Sequence, residues 1–327
     1  MLASKGDGGL EKHTLELCES LSKQHGVEVH LIAPKNVLSH VPDTNIKTHA
    51  FEFKHSRYNL FQLIQIVRII REVDPDLIHY QANKAAQIGS ILKRVLQTPA
   101  LCTIHNIKRR LGFLRSFQRV IAVSQNVANS FPSSTSYDVI YNGITINSDA
   151  LKTQPLLSNP VKWIAIGRLV EAKGFDILLD AFKSVPGRLT IVGDGPQKRS
   201  LKQICYNNKI SDRVDFLGTR QDVQTLLKEH DICVISSRNE GFSYVIAESL
   251  THNTPVISTD VPVANEFFSK EKICLTDNPE SLAHLMNNAI TVGFDYSSEF
   301  KFAQDNFTLA SMTLKTFNLY RDMLEQE

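Results

Sequence analysis

Short apolar runs alternate with amphipathic stretches along most of this chain. Val27 to Ala33 (VEVHLIA) reads as a strand. From Asn59 to Glu72 apolar residues recur at helical spacing: Leu60, Leu63, Ile64, Val67 and Ile70. The pattern then predicts strand 76–80, helix 83–96, strands 99–104 and 119–124, a short helix 125–131 and strand 138–141. Helices between apolar strands imply crossovers and a parallel sheet covered on both faces. Leu151 to Pro160 carries two prolines and no usable period, so it reads as a linker. The pattern then restarts, with strands at 161–166, 188–192, 213–217, 231–236 and 255–258. Helices are expected between them at 174–184, 197–208, 220–229 and 244–252, and later at 278–291 and 308–325. This is α/β architecture, with two doubly wound sheets in series. Ligands of such sheets bind beyond the carboxyl ends of the strands, and the cleft between two of them is the natural site.

The start breaks the pattern. Met-Leu-Ala-Ser-Lys-Gly-Asp-Gly-Gly runs straight into a helix expected from Leu10 to Gln24, with no strand before the glycine loop. The expectation is a first sheet lacking its first strand, or a true start further upstream.

At 327 residues the length suits two domains. The expected division is 1–150, 151–305 and a helical tail, 306–327, packing back toward the first domain. Net charge is +2 overall, but residues 1–150 hold 17 Lys+Arg against 12 Asp+Glu. That half is basic and the other mildly acidic, so they should meet different partners. From Leu77 to Tyr137 there is no acidic residue, yet there are eight basic ones: Lys84, Lys93, Arg94, Lys108, Arg109, Arg110, Arg115 and Arg119. Leu111, Phe113, Leu114 and Phe117 lie among the last of them. Cations studded with apolar residues suit an anionic lipid surface, so region 84–119 is the expected membrane contact. Nucleic acid is not expected, because no nucleic-acid module matches. The five cysteines are odd in number and scattered, which disfavours zinc and redox motifs and fits a reducing cytoplasm. No run approaches the ~20 apolar residues that cross a bilayer, and no signal peptide is expected.

Candidate chemistry sits at strand ends. Arg238-Asn-Glu240-Gly-Phe-Ser-Tyr-Val-Ile-Ala-Glu248 follows a buried strand and runs into a helix. Glu240 is expected just before the helix and Glu248 about two turns into it, and the eight-residue spacing would put the two carboxylates along neighbouring lines of one helix. Gly241 would let a ligand approach the backbone, and the amides of Phe242, Ser243 and Tyr244 could bind phosphate at the helix N-terminus. Gly167-Arg168 and Lys173-Gly174 flank the turn after the 161–166 strand, where two cations suit a diphosphate. Gly8 and Gly9 form a glycine loop capping a helix. Gly193-Asp-Gly195-Pro is a similar turn, lacking the third glycine and distant acid of a nicotinamide fingerprint. His105 closes Thr103-Ile-His-Asn at a strand end. Asp74-Pro-Asp76 lies on the amino side of its strand, so it reads as turn chemistry rather than a metal site.

In order and spacing these motifs resemble the family-4 retaining glycosyltransferases of the GT-B fold, over nearly the whole chain. Glu240-Gly-Phe through Glu248 looks like the family's E-x7-E motif. Gly167-Arg168 with Lys173-Gly174 looks like its diphosphate clamp, and Gly8-Gly9-Leu-Glu-Lys-His13 resembles its first glycine loop. The resemblance implies two Rossmann-like domains facing a cleft. It implies Glu240, His105, Arg168 and Lys173 as the catalytic set. Donor contacts would come from Gly8, Gly9, Arg168, Lys173, Thr219, Arg220, Glu240, Gly241, Phe242, Ser243, Tyr244 and Glu248. Glu240 would take sugar hydroxyls, Glu248 the ribose, and Thr219 and Arg220 the base. No cofactor and no metal are implied, since the nucleotide sugar, a UDP-sugar first among the classes, is a substrate. The acceptor would be a glycolipid, lipopolysaccharide or polysaccharide, and the location the cytoplasm, with peripheral contact to the inner membrane face. Departures are the absent first strand and Asp260-Val-Pro-Val-Ala264 where the family has a small-residue turn. A soluble sucrose- or trehalose-type synthase, and a non-catalytic sugar-nucleotide-binding protein, stay open as alternatives.

Overall fold

Parallel strands buried between helices build both halves of the chain. The computed structural model describes residues 1–4, 9–42, 45–54, 56–106, 110–146, 157–240 and 242–325. Gly8, Lys108, Arg109, Gly241 and linker residues 151–156 lie outside these. The chain divides into two compact units, Met1–Gly143 with Leu309–Glu327, and Ile144–Thr308.

The first unit runs α1 (Gly9–Ser22), β1 (Val29–Ala33), α2 (Lys35–Leu38), β2 (Ile46–Ala50), α3 (Leu60–Val73), β3 (Ile78–Gln81), α4 (Ala82–Leu92), β4 (Ala100–Ile104), β5 (Arg119–Ala122), α5 (Gln125–Ala128) and β6 (Tyr137–Val139). β1 pairs with β2, and β3 to β6 pair in sequence order, all parallel. Met1 and Leu2 join the two sets. The Leu2 amide donates to the Ile32 carbonyl at 2.9 Å, and the Gln81 amide donates to the Met1 carbonyl at 2.9 Å. The first-strand position, expected to be empty, therefore holds a two-residue stub between β1 and β3. The last helix of the chain, α13 (Leu309–Glu325), buries Met312, Leu319 and Met323 against Leu17 and Leu21 of α1 and Leu101, Ile121 and Ile140 of the sheet. Each such side chain contributes roughly 1.5–3 kcal/mol.

The second unit runs β7 (Lys162–Ile166), α6 (Phe175–Phe182), β8 (Arg188–Val192), α7 (Lys198–Asn207), β9 (Val214–Gly218), α8 (Val223–Glu229), β10 (Ile232–Ile235), α9 (Tyr244–Thr251), β11 (Val256–Thr259), α10 (Ala264–Phe267), β12 (Ile273–Cys274), α11 (Pro279–Thr291) and α12 (Ser297–Asn306). Strand order is β12-β11-β10-β7-β8-β9. The order turns back between β7 and β10, because β8 and β9 lie to one side of β7 and the later strands to the other. Such a reversal opens a crevice at the carboxyl ends of the two central strands. Trp163 on β7 is fully buried and donates its indole N–H to the Pro186 carbonyl at 3.0 Å. Asn278 caps α11 by accepting the Ser281 amide at 2.7 Å, with Pro279 pre-set in the first turn.

Several expectations change. Helix 83–96 ends at Leu92, and β2, β12 and α12 were not anticipated. The apolar residues of the basic segment point inward: Leu111, Leu114 and Phe117 are buried, and only Phe113 is partly exposed. Lys84 is tied to the Phe53 carbonyl at 2.7 Å, and Arg119 forks onto Asp138 at 2.6 and 3.0 Å. The exposed cations of that region among the described residues are Lys93, Arg94, Arg110 and Arg115. Asp74 adopts a left-handed conformation and ends α3, as turn chemistry requires.

Candidate active site

The reversal between β7 and β10 gathers the charged groups of the second unit. Gly174 follows Lys173 with φ +61°, and a Cβ there would lie 2.0 Å from the Ser236 carbonyl oxygen beyond β10. Only glycine allows this approach. It brings the loop after β7 onto the loop after β10. The Ser236 hydroxyl completes the join by donating to the Lys173 carbonyl at 2.9 Å. Beside it, a Cβ at Gly193 would collide with the Gly167 carbonyl at 1.9 Å, so the ends of β7 and β8 also touch.

Across this join the Lys173 ammonium pairs with Glu240 Oε1. Ser237 donates its hydroxyl to the same oxygen at 2.9 Å. Thr259 in turn donates to the Ser237 carbonyl at 2.6 Å, so β11 holds the loop from behind. Glu240 Oε2 has no partner among the described residues and can accept a hydroxyl. Lys173 uses one of its three donors on Glu240 and keeps two for a ligand. Arg168, five residues before Lys173 in the loop after β7, is exposed and makes no side-chain hydrogen bond among the described residues. An Arg fork and a Lys point charge within one loop can neutralise a diphosphate.

Arg238 holds this loop in shape. Its guanidinium forks onto Asp176 of α6 at 2.7 and 2.9 Å and reaches the Glu171 carbonyl at 2.6 Å. Its amide donates to the Ala172 carbonyl at 2.9 Å. Asp176 raises the Arg238 pKa; burial pushes against ionised Asp176, and Arg238 overrides it to hold that carboxyl below its ordinary value. Arg238 therefore clamps both sides of Lys173, a role the sequence did not suggest.

Glu240 stands just before the helix, as expected, but Glu248 lies nearer the helix start than the expected two turns. α9 starts at Tyr244, so Glu240 stands in the preceding loop while Glu248 sits one turn into the helix. The two do not share a helix face. Ser243 is the N-cap, and its hydroxyl accepts the Ile246 amide at 3.4 Å. First-turn amides of α9 have no earlier helical carbonyl to reach. Phe242 packs edge-on against Tyr244 and Phe307. Thr219 and Arg220 follow β9 and are exposed, and Arg220 forks onto Asp222 at 2.5 and 2.7 Å.

His105 belongs to the first unit, directly after β4. It is buried and donates Nε2–H to Gln81 Oε1 at 3.2 Å. Gln81 donates onward to His79 Nε2 at 3.2 Å, and Thr103 donates to that same nitrogen at 2.7 Å. His79 Nδ1 then meets the Tyr320 hydroxyl of α13 at 2.5 Å. His13 of α1 lies edge-on to His105, with ring centres 4.6 Å apart. Burial pushes His105 and His79 well below the usual histidine value and His13 to about 4. The cluster is neutral near pH 7. Its hydrogen bonds leave His105 Nδ1 as the acceptor nitrogen. Gln81 and His79 were not expected here; no spacing links them to His105. Gly9, from the first glycine loop, opens α1 in the same unit.

Residues 7–148 match the family model described as Glycosyltransferase Family 4, and residues 160–291 the one described as Glycosyl transferases group 1. The chain belongs to the family 4 glycosyltransferases. Among curated relatives, this glycosyltransferase is similar to the O-antigen biosynthesis glycosyltransferase WclY of Escherichia coli. The match is 28% identical over 64% of this chain and 63% of WclY. It is also similar to the lipopolysaccharide core biosynthesis glycosyltransferase LpsE of Rhizobium meliloti, at 25% identity over 77% and 76% of the two chains. In structure it resembles HepE of Anabaena, solved in complex with UDP. There the TM-score is 0.83 and the identity 22%, over 98% of each chain. That likeness gives the fold as GT-B.

Proposed function

We propose that this glycosyltransferase moves a sugar from a nucleotide-diphosphate donor to a lipid-linked, lipopolysaccharide or polysaccharide acceptor, with retention at the anomeric carbon. The observation that carries the reading is the Lys173–Glu240 pair beside exposed Arg168 at the strand reversal. Arg168 and Lys173 take the donor diphosphate, whose charge grows as the bond from the sugar C1 to phosphate oxygen breaks. Electrostatic stabilisation of that leaving group is the main contribution. Amides around Gly241 to Tyr244, and at Gly8 and Gly9, add donors. Glu240 Oε2 accepts a sugar hydroxyl and fixes the ring, while Glu248 takes the ribose and Thr219 and Arg220 the base. The acceptor oxygen attacks C1 on the face the phosphate leaves, and the departing phosphate takes its proton. His105 contacts a hydroxyl of the reacting sugar. Two protein cations carry the diphosphate charge, so turnover is expected to survive EDTA.

UDP is the first choice of nucleotide, supported by the UDP complex of HepE. The named roles of WclY and LpsE support a lipopolysaccharide-type acceptor. A cytoplasmic site of action at the inner membrane face follows from such an acceptor and from the exposed cations Lys93, Arg94, Arg110 and Arg115.

The test is a calorimetric panel of UDP-, GDP-, ADP- and dTDP-sugars, followed by nucleotide release with lipopolysaccharide-type acceptors. Glu240→Ala should abolish transfer with folding retained. Binding of none of the four classes, or full turnover in Glu240→Ala, would overturn the reading.

A further inference from the structure

Gln81 stands where the fold itself needs no polar side chain. It ends β3 and is 4% exposed. It also precedes α4, yet its side chain makes no capping hydrogen bond there. The next residue, Ala82, sits at φ +66°, a left-handed conformation that a Cβ makes costly. Strain of this kind persists where the surroundings fix it, and it gathers beside functional groups. A buried amide and a strained turn thus meet at one point of the chain.

The amide joins two histidines. Its Oε1 accepts His105 Nε2–H at 3.2 Å, and its NH2 group donates to His79 Nε2 at 3.2 Å. Thr103, opposite Gln81 in register, donates to the same His79 nitrogen at 2.7 Å. With Nε2 accepting, the proton of neutral His79 lies on Nδ1, which donates to the Tyr320 hydroxyl oxygen at 2.5 Å. An amide has one accepting end and one donating end, so its orientation sets both histidines at once. Turned over, it would donate to His105 Nε2 and make Nδ1 the protonated nitrogen. Among the described residues, the bond to Gln81 is the one side-chain hydrogen bond that His105 makes. His13 packs edge-on against the same ring, with centres 4.6 Å apart, and holds its plane.

We infer that Gln81 is the positioning residue of His105: its amide holds the Nε2–H tautomer, so that Nδ1 accepts the hydrogen of a sugar hydroxyl. The role rests on the proposed contact of His105 with the reacting sugar. It adds a demand on the substrate, because the group that meets Nδ1 has to be a hydrogen-bond donor. A hydroxyl qualifies there, and a fluorine or methoxy group does not. Through His79 and Tyr320 the relay also ties this nitrogen to α13.

Nitrogen NMR of the imidazoles in the 15N-labelled full chain reads the tautomer, with His105 assigned by its loss in His105→Asn. Wild type at pH 7.5 should show His105 protonated at Nε2 and unprotonated at Nδ1. Gln81→Leu should leave His105 in a mixture of tautomers and lower kcat ~10-fold in the nucleotide-release assay, with UDP affinity unchanged. Gln81→Glu offers only acceptors. It should keep the His105 tautomer, move the His79 proton to Nε2 and recover most of kcat. A wild-type His105 protonated at Nδ1 would overturn the inference, and that spectrum decides even where Gln81→Leu fails to fold. So would an unchanged tautomer in Gln81→Leu, or a folded Gln81→Glu as impaired as Gln81→Leu. Full turnover in His105→Ala, with the expected wild-type tautomers observed, would instead count against the functional reading of His105 alone.

Discussion

Two lysine–glutamate pairs among the described residues of the second unit differ in burial and in the use of their polar atoms. Lys272 and Glu299 are 4% and 6% exposed and meet at 2.5 Å. Lys272 also donates to the Asp295 carbonyl and lies over the Tyr296 ring at 4.5 Å. Ser298 donates to the second Glu299 oxygen at 2.8 Å, so both carboxylate oxygens are used. Lys173 and Glu240 are 24% and 9% exposed, and each keeps hydrogen-bonding capacity in reserve. The first pair is closed and fastens α12 to the strand that ends at Cys274. The second is open and stands at a strand reversal. An ion pair therefore reads as structure or as a site according to what its spare donors and acceptors face.

Removing one partner from each pair should separate the two roles. Glu299→Gln leaves the Lys272 ammonium buried without its counter-charge and should cost about 3–5 kcal/mol, read from urea midpoints. Glu240→Gln should cost under about 1 kcal/mol, because water reaches Lys173. In activity the order reverses: Glu240→Gln should lower transfer at least ~100-fold, and Glu299→Gln should leave kcat of the folded fraction unchanged. Replacing both closed partners, as Lys272→Met with Glu299→Leu, should restore most of the lost stability. Equal destabilisation by the two single variants would break the distinction.

Much of this site was legible along the chain because its parts are local. An apolar run ending in glycine and a cation marks the end of β7, and a second run followed by Arg238-Asn-Glu240 marks the end of β10. Strand type and helix order follow from the same runs. What could not be read depends on pairings between distant positions. Asp176 and Arg238 are 62 residues apart, and nothing in either segment names the other. Gln81 sits beside His105 only because β3 and β4 are neighbours in register, Gln81 opposite Thr103. Strand β2 (IKTHA) was missed because only Ile46 is buried, leaving no apolar run. The basic segment misled for the converse reason. Apolar residues between cations look like a membrane face until the fold turns Leu114 and Phe117 into the core.

The histidines of the first unit extend the contrast to buried groups kept neutral. His13 stands at about 4 in the folded chain against 6.5 unfolded. Between those values the unfolded chain binds more protons, so stability is full above about pH 6.5 and falls as pH drops toward 4. His13 alone should account for about 3 kcal/mol of that fall. Urea titrations at pH 7.5, 6 and 4.5 should show the decline, and His13→Gln should make it shallower. An unchanged slope in the variant would mean that His13 is not the group held neutral.

The smallest effect expected concerns what keeps the open pair open. Arg238 forks onto Asp176 and also holds the carbonyl of Glu171 and, through its amide, that of Ala172. Without the fork, Arg238 keeps its bonds to Asp277 and to the Glu171 carbonyl but loses the anchor on α6 that fixes it beyond Lys173. Asp176→Asn keeps the shape and removes the charge, so it should cost about 1 kcal/mol of stability. The larger consequence is positional. Lys173 would sample orientations that no longer face both Glu240 and a diphosphate, and orientation is where such a site gains most of its rate. Donor KM should rise about 5–10-fold, with kcat falling less, and Asp176→Glu should recover part of the loss. A purely structural Asp176 would lower melting temperature and leave KM alone, which would return Arg238 to the class of the closed pair.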